Sequence, residues 1–155
     1  MDENGTKPQL TLAEEIDHVR SHLENEEFRY NGRLSTSLQV DPEVDLDLII
    51  PRRLIHVFVM NALRHNLFQN NNGGHIDIAI HKSNLGVLIL VSDTGSCLHV
   101  EPDGAPVRSN ELRLLDSYLP LFNNQHDHQV SYDIVDLEHY KPGETGTRAL
   151  ITIKI

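Results

Sequence analysis

The chain predicts a two-layer α/β sandwich, with helices packed on one face of a mixed sheet. Three observations lead there. Its elements run helix, strand, helix, strand, strand, loop, helix, strand, strand, a mixture without strict alternation. Two strand candidates alternate in polarity, whereas Leu85 to Val91 is nearly all apolar and reads as a central strand buried on both faces. No Gly-rich phosphate loop follows the first strand, so neither a Walker site nor a Rossmann fingerprint is available.

Residues 1 to 9 are polar, with Gly5 and Pro8, and are expected to be a disordered lead or chain end; residues 10 to 155 form one domain. Thr11-Leu12-Ala13-Glu14 is a capping box, and Leu12, Ile16, Val19 and Leu23 follow at helical spacing. This first helix should end near Tyr30, before Asn31-Gly32. Leu34, Thr36, Leu38 and Val40 alternate with polar residues as a half-buried strand. An acidic loop covers 41 to 47, and Ile49-Ile50-Pro51 leads into a second helix over about 52 to 68 with an apolar stripe at Ile55, Phe58, Val59 and Ala62. Asn70 to Gly74 breaks the chain before a strand from His75 to His81. An irregular loop is expected over 94 to 110. Leu112, Leu114, Leu115, Leu119 and Phe122 suggest a third helix, interrupted or ended near Pro120. Strands over about 129 to 136 and 148 to 155 finish the chain.

With 155 residues and 39% apolar content, one domain and one core are expected. Thirteen basic against 23 acidic residues give a formal charge of -10. That balance excludes nucleic acid as a partner, because Arg52-Arg53 is the only adjacent basic pair. The single Cys97 excludes an intrachain disulfide and fits a reducing compartment. His18 reads as a polar-face helix residue, and His126-Asp127-His128 as a solvated loop with too few fixed ligands for a structural metal site.

Asn61 lies on the second helix, with His65 one turn further on; the apolar strand then runs into Ser92-Asp93-Thr94-Gly95, and Gly146-Thr147 opens the last strand. The segments LAEEIDHVRSHLENEEFRYNGRL, IPRRLIHVFVMNALRHNL and GTRALITIKI complete the pattern. In that order they make Leu10 to Ile155 resemble the C-terminal ATP-binding (HATPase) domain of LytS-type sensor histidine kinases, in the GHKL superfamily. The resemblance implies the Bergerat fold, ATP and Mg2+ as ligands, and phosphoryl transfer to a histidine on helices expected before residue 1, in the same or a paired chain. It further implies a response regulator as partner, and a dimeric parent protein anchored in the inner membrane with this domain on the cytoplasmic side.

Matched to the family, Asn61 would hold Mg2+, a role suited to an amide oxygen because magnesium prefers hard oxygen ligands. His65 would be a basic neighbour of the phosphates. Asp93 would accept a hydrogen bond from the adenine amine, as an acceptor-only group can. Gly95 would let the chain turn beside the base, Thr147 would support Asp93 from the neighbouring strand, and Gly146 would join the cofactor-binding residues. Asn61, His65, Asp93, Gly95 and Thr147 are expected to line one cavity between the second helix and the sheet. Taken singly, each also reads as an ordinary helix-face, turn or strand residue.

The departures are as informative. Met60 stands where the family carries a glutamate that acts as base or polariser, and a thioether can do neither. Cys97 replaces the second glycine of the adenine loop. The phosphate lid falls on Val107 to Glu111 or on Gly104-Ala105-Pro106, and neither segment supplies paired glycines. The expected function is therefore a histidine-kinase ATP-binding domain with impaired nucleotide binding or turnover. The alternatives are a non-catalytic signal-relay module, a pseudokinase, and an unrelated α/β binding domain.

Overall fold

The computed structural model describes residues 9–63, 74–94, 110–136 and 146–155. Five strands form the main sheet: β2 (Leu34–Val40), β4 (Gly74–Lys82), β5 (Gly86–Asp93), β7 (Thr147–Lys154) and β6 (Gln129–Asp136), in that spatial order. β2 and β4 are parallel and every other pair is antiparallel, so the sheet is mixed as expected. Helices α1 (Leu12–Arg29), α2 (Leu54–Asn61) and α3 (Asn110–Gln125) share one core with a single face of it.

That one-sided packing corrects the expectation for β5. Val87, Ile89, Val91 and Asp93 are buried beneath the helices, while Leu88 and Leu90 on the other face are only half-buried. An all-apolar run therefore serves a sheet covered on one side, where period-two alternation decides which residues meet the core.

α1 begins as its capping box requires. The Thr11 hydroxyl accepts from the Glu14 amide at 3.2 Å, and the Glu14 carboxylate accepts from the Thr11 amide at 3.1 Å. It ends at Arg29, after which Asn31 and Gly32 take left-handed angles. Two short strands are additions to the expected set: β1 (Gln9–Thr11) pairs antiparallel with β3 (Ile49–Pro51), so Gln9 is the first strand residue rather than part of the lead.

α2 starts later than expected, at Leu54, because Arg53 adopts a left-handed conformation with φ 66°. Its path widens into a π-type turn at 62–63, and the remainder of the expected helix, to residue 68, lies outside the described residues. α3 runs through Pro120, which neither interrupts nor ends it. Proline there removes one backbone hydrogen bond. Leu115 and Leu119 before it and Phe122 after it are all buried, and this shared burial holds the helix together across the gap.

The His126-Asp127-His128 turn is solvated only in part: Asp127 is exposed as expected, while His126 and His128 are half-buried. The His126 ring stacks on Phe122 at 4.0 Å and its Nδ1 meets the Phe122 carbonyl at 2.9 Å. His128 Nε2 meets the Ile49 carbonyl at 2.5 Å, joining this turn to β3. Among the described residues no group of three or more His, Cys, Asp or Glu side chains could hold a metal ion.

Candidate functional site

α2 is apolar almost all round, with Leu54, Ile55, Val57, Phe58 and Val59 buried. It therefore carries its last residue, Asn61, into the interior, where the side chain is 8% exposed. Asp93 ends β5 on the core-facing side of the alternation and is 5% exposed. Thr147 is its register partner on β7 and is 4% exposed. These three polar residues line one cavity of about 10 Å³ together with Phe58, Val91 and Ile134, room for about one water. Asn61 Oδ1 and Thr147 Oγ1 are buried with no hydrogen-bond partner among the described residues. Orphaned polar atoms of this kind are uncommon in folded proteins and mark a place that a ligand or water completes.

Gly146 secures the arrangement from the adjoining turn. Its φ is 125°, and a Cβ there would lie 2.0 Å from the Asp93 carbonyl oxygen. Thr94, not among the expected site residues, pins the end of the strand: its hydroxyl accepts from the His75 amide at 3.0 Å, and its own amide donates to the His75 carbonyl at 3.2 Å.

Asn61, Asp93, Gly146 and Thr147 are thus brought together. Met60 is not among the residues lining that cavity; it is half-buried and packs against the core. His65, Gly95, Cys97 and Gly104-Ala105-Pro106 lie outside the described residues. The alternative placement of the lid overlaps a helix, since Asn110 and Glu111 form the first turn of α3. Glu111 lines a groove of about 320 Å³ with Arg52, Arg53, Val57, Leu114, Leu115 and Tyr118.

Glu15 was not legible as a site residue. It lies on α1, is 1% exposed, and reaches the first turn of α2. Its carboxylate accepts from the amides of Arg53 at 3.3 Å, Ile55 at 2.9 Å and His56 at 3.1 Å. Burial pushes this carboxyl above its ordinary value, opposed by those three amides and by nearby His18. The one sequence signal is its place beside Leu12, Ile16 and Val19 on the buried arc, where an acid needs a partner.

His56, next to that cap, is held neutral. Burial is the main cause, and the positive charges of His22, Arg53 and His18 add to it, taking its pKa from 6.5 to about 4. The His22 ring meets it edge-on at 4.6 Å. Because the unfolded chain binds this proton at a higher pH than the folded one, stability should fall as pH drops from 6.5 to about 4. Allowing for the partial exposure of the ring, the loss is about 1–2 kcal/mol. Glu15 acts in the opposite sense, its contribution being lost as pH rises through its elevated value. Urea unfolding of the wild type and His56→Asn across this window isolates the histidine: the stability difference between them should depend on pH with the stated sign.

No protein-family model matches the chain. Over 87 residues, 56% of its length, it is 33% identical to the sensor histidine kinase/phosphatase LytS of Staphylococcus aureus, and it spans 15% of that protein's length. Its fold matches the histidine kinase domain of the blue-light activated histidine kinase of Erythrobacter litoralis EL346. The TM-score is 0.62 at 16% identity, over 96% of this chain and 68% of that one. It also matches the histidine kinase ThkA, solved in complex with the response regulator protein TrrA, with a TM-score of 0.55 at 15% identity over 95% of this chain and 41% of that one. The chain is therefore homologous to part of LytS in sequence and shares the α/β fold of histidine kinase catalytic domains.

Proposed function

We propose that the chain is the ATP-binding domain of a two-component sensor histidine kinase, with weakened nucleotide binding and turnover. The observation that carries this is the meeting of Asn61, Asp93 and Thr147, all buried, in one cavity against Gly146. Their donors and acceptors match the group they would hold, while the cavity as it stands, about 10 Å³, has room for about one water. Asp93 offers an acceptor-only carboxylate to an adenine amine, and Thr147 a hydroxyl beside it. Asn61 presents an orphaned amide oxygen, the hard donor that Mg2+ takes. Bound Mg-ATP would supply the transferable phosphoryl group; this chain's part is to select the base, place the metal and exclude water.

Turnover is weakened because Met60 leaves the site without its carboxylate. General-base assistance contributes typically two to four orders of magnitude to a step that uses it. Phosphohistidine formation from radiolabelled ATP, in the parent protein with its acceptor helices, tests this. The wild type should label weakly, and Met60→Glu should raise labelling while falling short of full activity, because the lid lacks paired glycines. Strong labelling by the wild type would contradict the reading.

The same sequence departure favours the second reading, a signal-relay module whose fold outlasted its chemistry. A response regulator is the partner under the first reading, supported by the ThkA complex. The parent is read as a dimer anchored in the inner membrane, with this domain on the cytoplasmic side, on the strength of the likeness to a sensor kinase. Among the described residues no helix is long and apolar enough to cross a membrane.

A further inference from the structure

We propose that Glu15 is the positioning residue of the nucleotide site: from α1 it caps α2 and thereby sets where Asn61 stands. The proposal rests on the nucleotide reading only for the identity of the ligand.

α2 cannot cap itself. Arg53 precedes it in a left-handed conformation with no side-chain hydrogen bond to the helix, and no acidic residue occupies the first turn. The amides left open by any helix start are met instead by Glu15, which accepts from Arg53, Ile55 and His56 across 38 to 41 residues of sequence. A buried carboxylate at the positive end of a helix is favoured by charge as well as by hydrogen bonding. Buried polar contacts of this sort depend strongly on geometry, so they fix one position rather than a range of positions.

The consequence for the site follows from length. α2 has eight residues, about 12 Å from end to end, with Asn61 as the last. A short rigid helix moves as a unit, so displacing its capped end displaces Asn61. A second tie acts at the same place: β1 pairs with β3 immediately before α2, and the Leu12 amide donates to the Leu48 carbonyl at 2.8 Å. Residues 9 to 15 thus grip the start of α2 through a strand pair and a side-chain cap.

The test is amide hydrogen exchange and side-chain NMR on this chain, comparing the wild type with Glu15→Ala, Glu15→Gln and Val19→Ala. Glu15→Ala should speed exchange at Ile55 and His56 at least tenfold more than at Ile89 and Ile151 in the sheet, and should shift the Asn61 side-chain amide resonances. Glu15→Gln keeps one carbonyl acceptor and should lie between Glu15→Ala and the wild type; it carries the comparison where the alanine variant does not fold. Val19→Ala removes buried methyl groups from the same helix. It should speed all four amides alike and leave the Asn61 resonances in place. In calorimetric titration with Mg-ATP, Glu15→Ala should bind roughly tenfold more weakly than the wild type. If the wild type gives no saturable heat, the nucleotide reading fails, while exchange and the Asn61 resonances still decide the role of Glu15. Asn61 resonances unmoved in the Glu15 variants, or exchange raised uniformly, would overturn the proposal.

Discussion

Gly146→Ala should destabilise the chain by about 3 kcal/mol and disorganise the site at the same time. The added Cβ would sit 2.0 Å from the Asp93 carbonyl oxygen and 3.1 Å from its carbonyl carbon, so backbone must move. The φ of 125° adds conformational strain for any side chain. Strain and overpacking each cost about 1–3 kcal/mol, and together they should lower the melting temperature by roughly 10 °C. Gly32→Ala is the control. Gly32 also has positive φ, 81°, but a Cβ there meets nothing within 4 Å, so only the conformational cost applies. Thermal unfolding of the two variants should give a clearly larger shift for Gly146. Equal shifts would mean that the approach to Asp93 is not a constraint.

Phe122→Ala should cost about 3–5 kcal/mol, the range for truncating a fully buried aromatic. Phe122 is 0% exposed and is the partner on which the histidine turn is built. His126 stacks on its ring, His128 meets it edge-on at 5.5 Å, and Tyr118 tilts against it at 6.1 Å. Its removal leaves a cavity and also frees His128, whose Nε2 holds the Ile49 carbonyl of β3. Phe122→Leu keeps most of the volume and should cost roughly 1 kcal/mol. Urea unfolding measures both, and a Phe122→Ala cost as small as that of the leucine variant would show that the ring is not a core anchor.

What could be read from the sequence was local or periodic. The capping box at Thr11 and Glu14 names its own helix start, and the apolar run from Leu85 to Val91 marks the strand that ends at Asp93, although the run does not show that only one of its faces is covered. Asn61 was legible through the resemblance of its flanking segment, since taken singly it reads as an ordinary helix-face residue. What escaped depends on partners distant in sequence. β1 and β3 are three residues each, too short to show a period, and exist because they pair. α2 begins at Leu54 because Arg53 is left-handed, which its residue type does not announce, and because Glu15 supplies the cap from about 40 residues away. Pro120 reads as a helix end by local rules, and buried neighbours on both sides override it. The lid placement over Val107 to Glu111 overlaps α3 at Asn110 and Glu111, and its other residues lie outside the described ones.

The proposed recognition of adenine by Asp93 is most directly tested by calorimetric titration of the wild type and Asp93→Asn with ATP and with GTP, each with Mg2+. The substitution keeps the shape of the side chain but halves its acceptor capacity and points a donor at the base. The wild type should bind ATP saturably and weakly, with Kd on the order of 0.1–1 mM, a free energy of roughly 4–5.5 kcal/mol. It should give no saturable heat with GTP, and Asp93→Asn should lose the preference for ATP. ATP and GTP binding alike in the wild type, unchanged by Asp93→Asn, would contradict a nucleotide site built on Asp93.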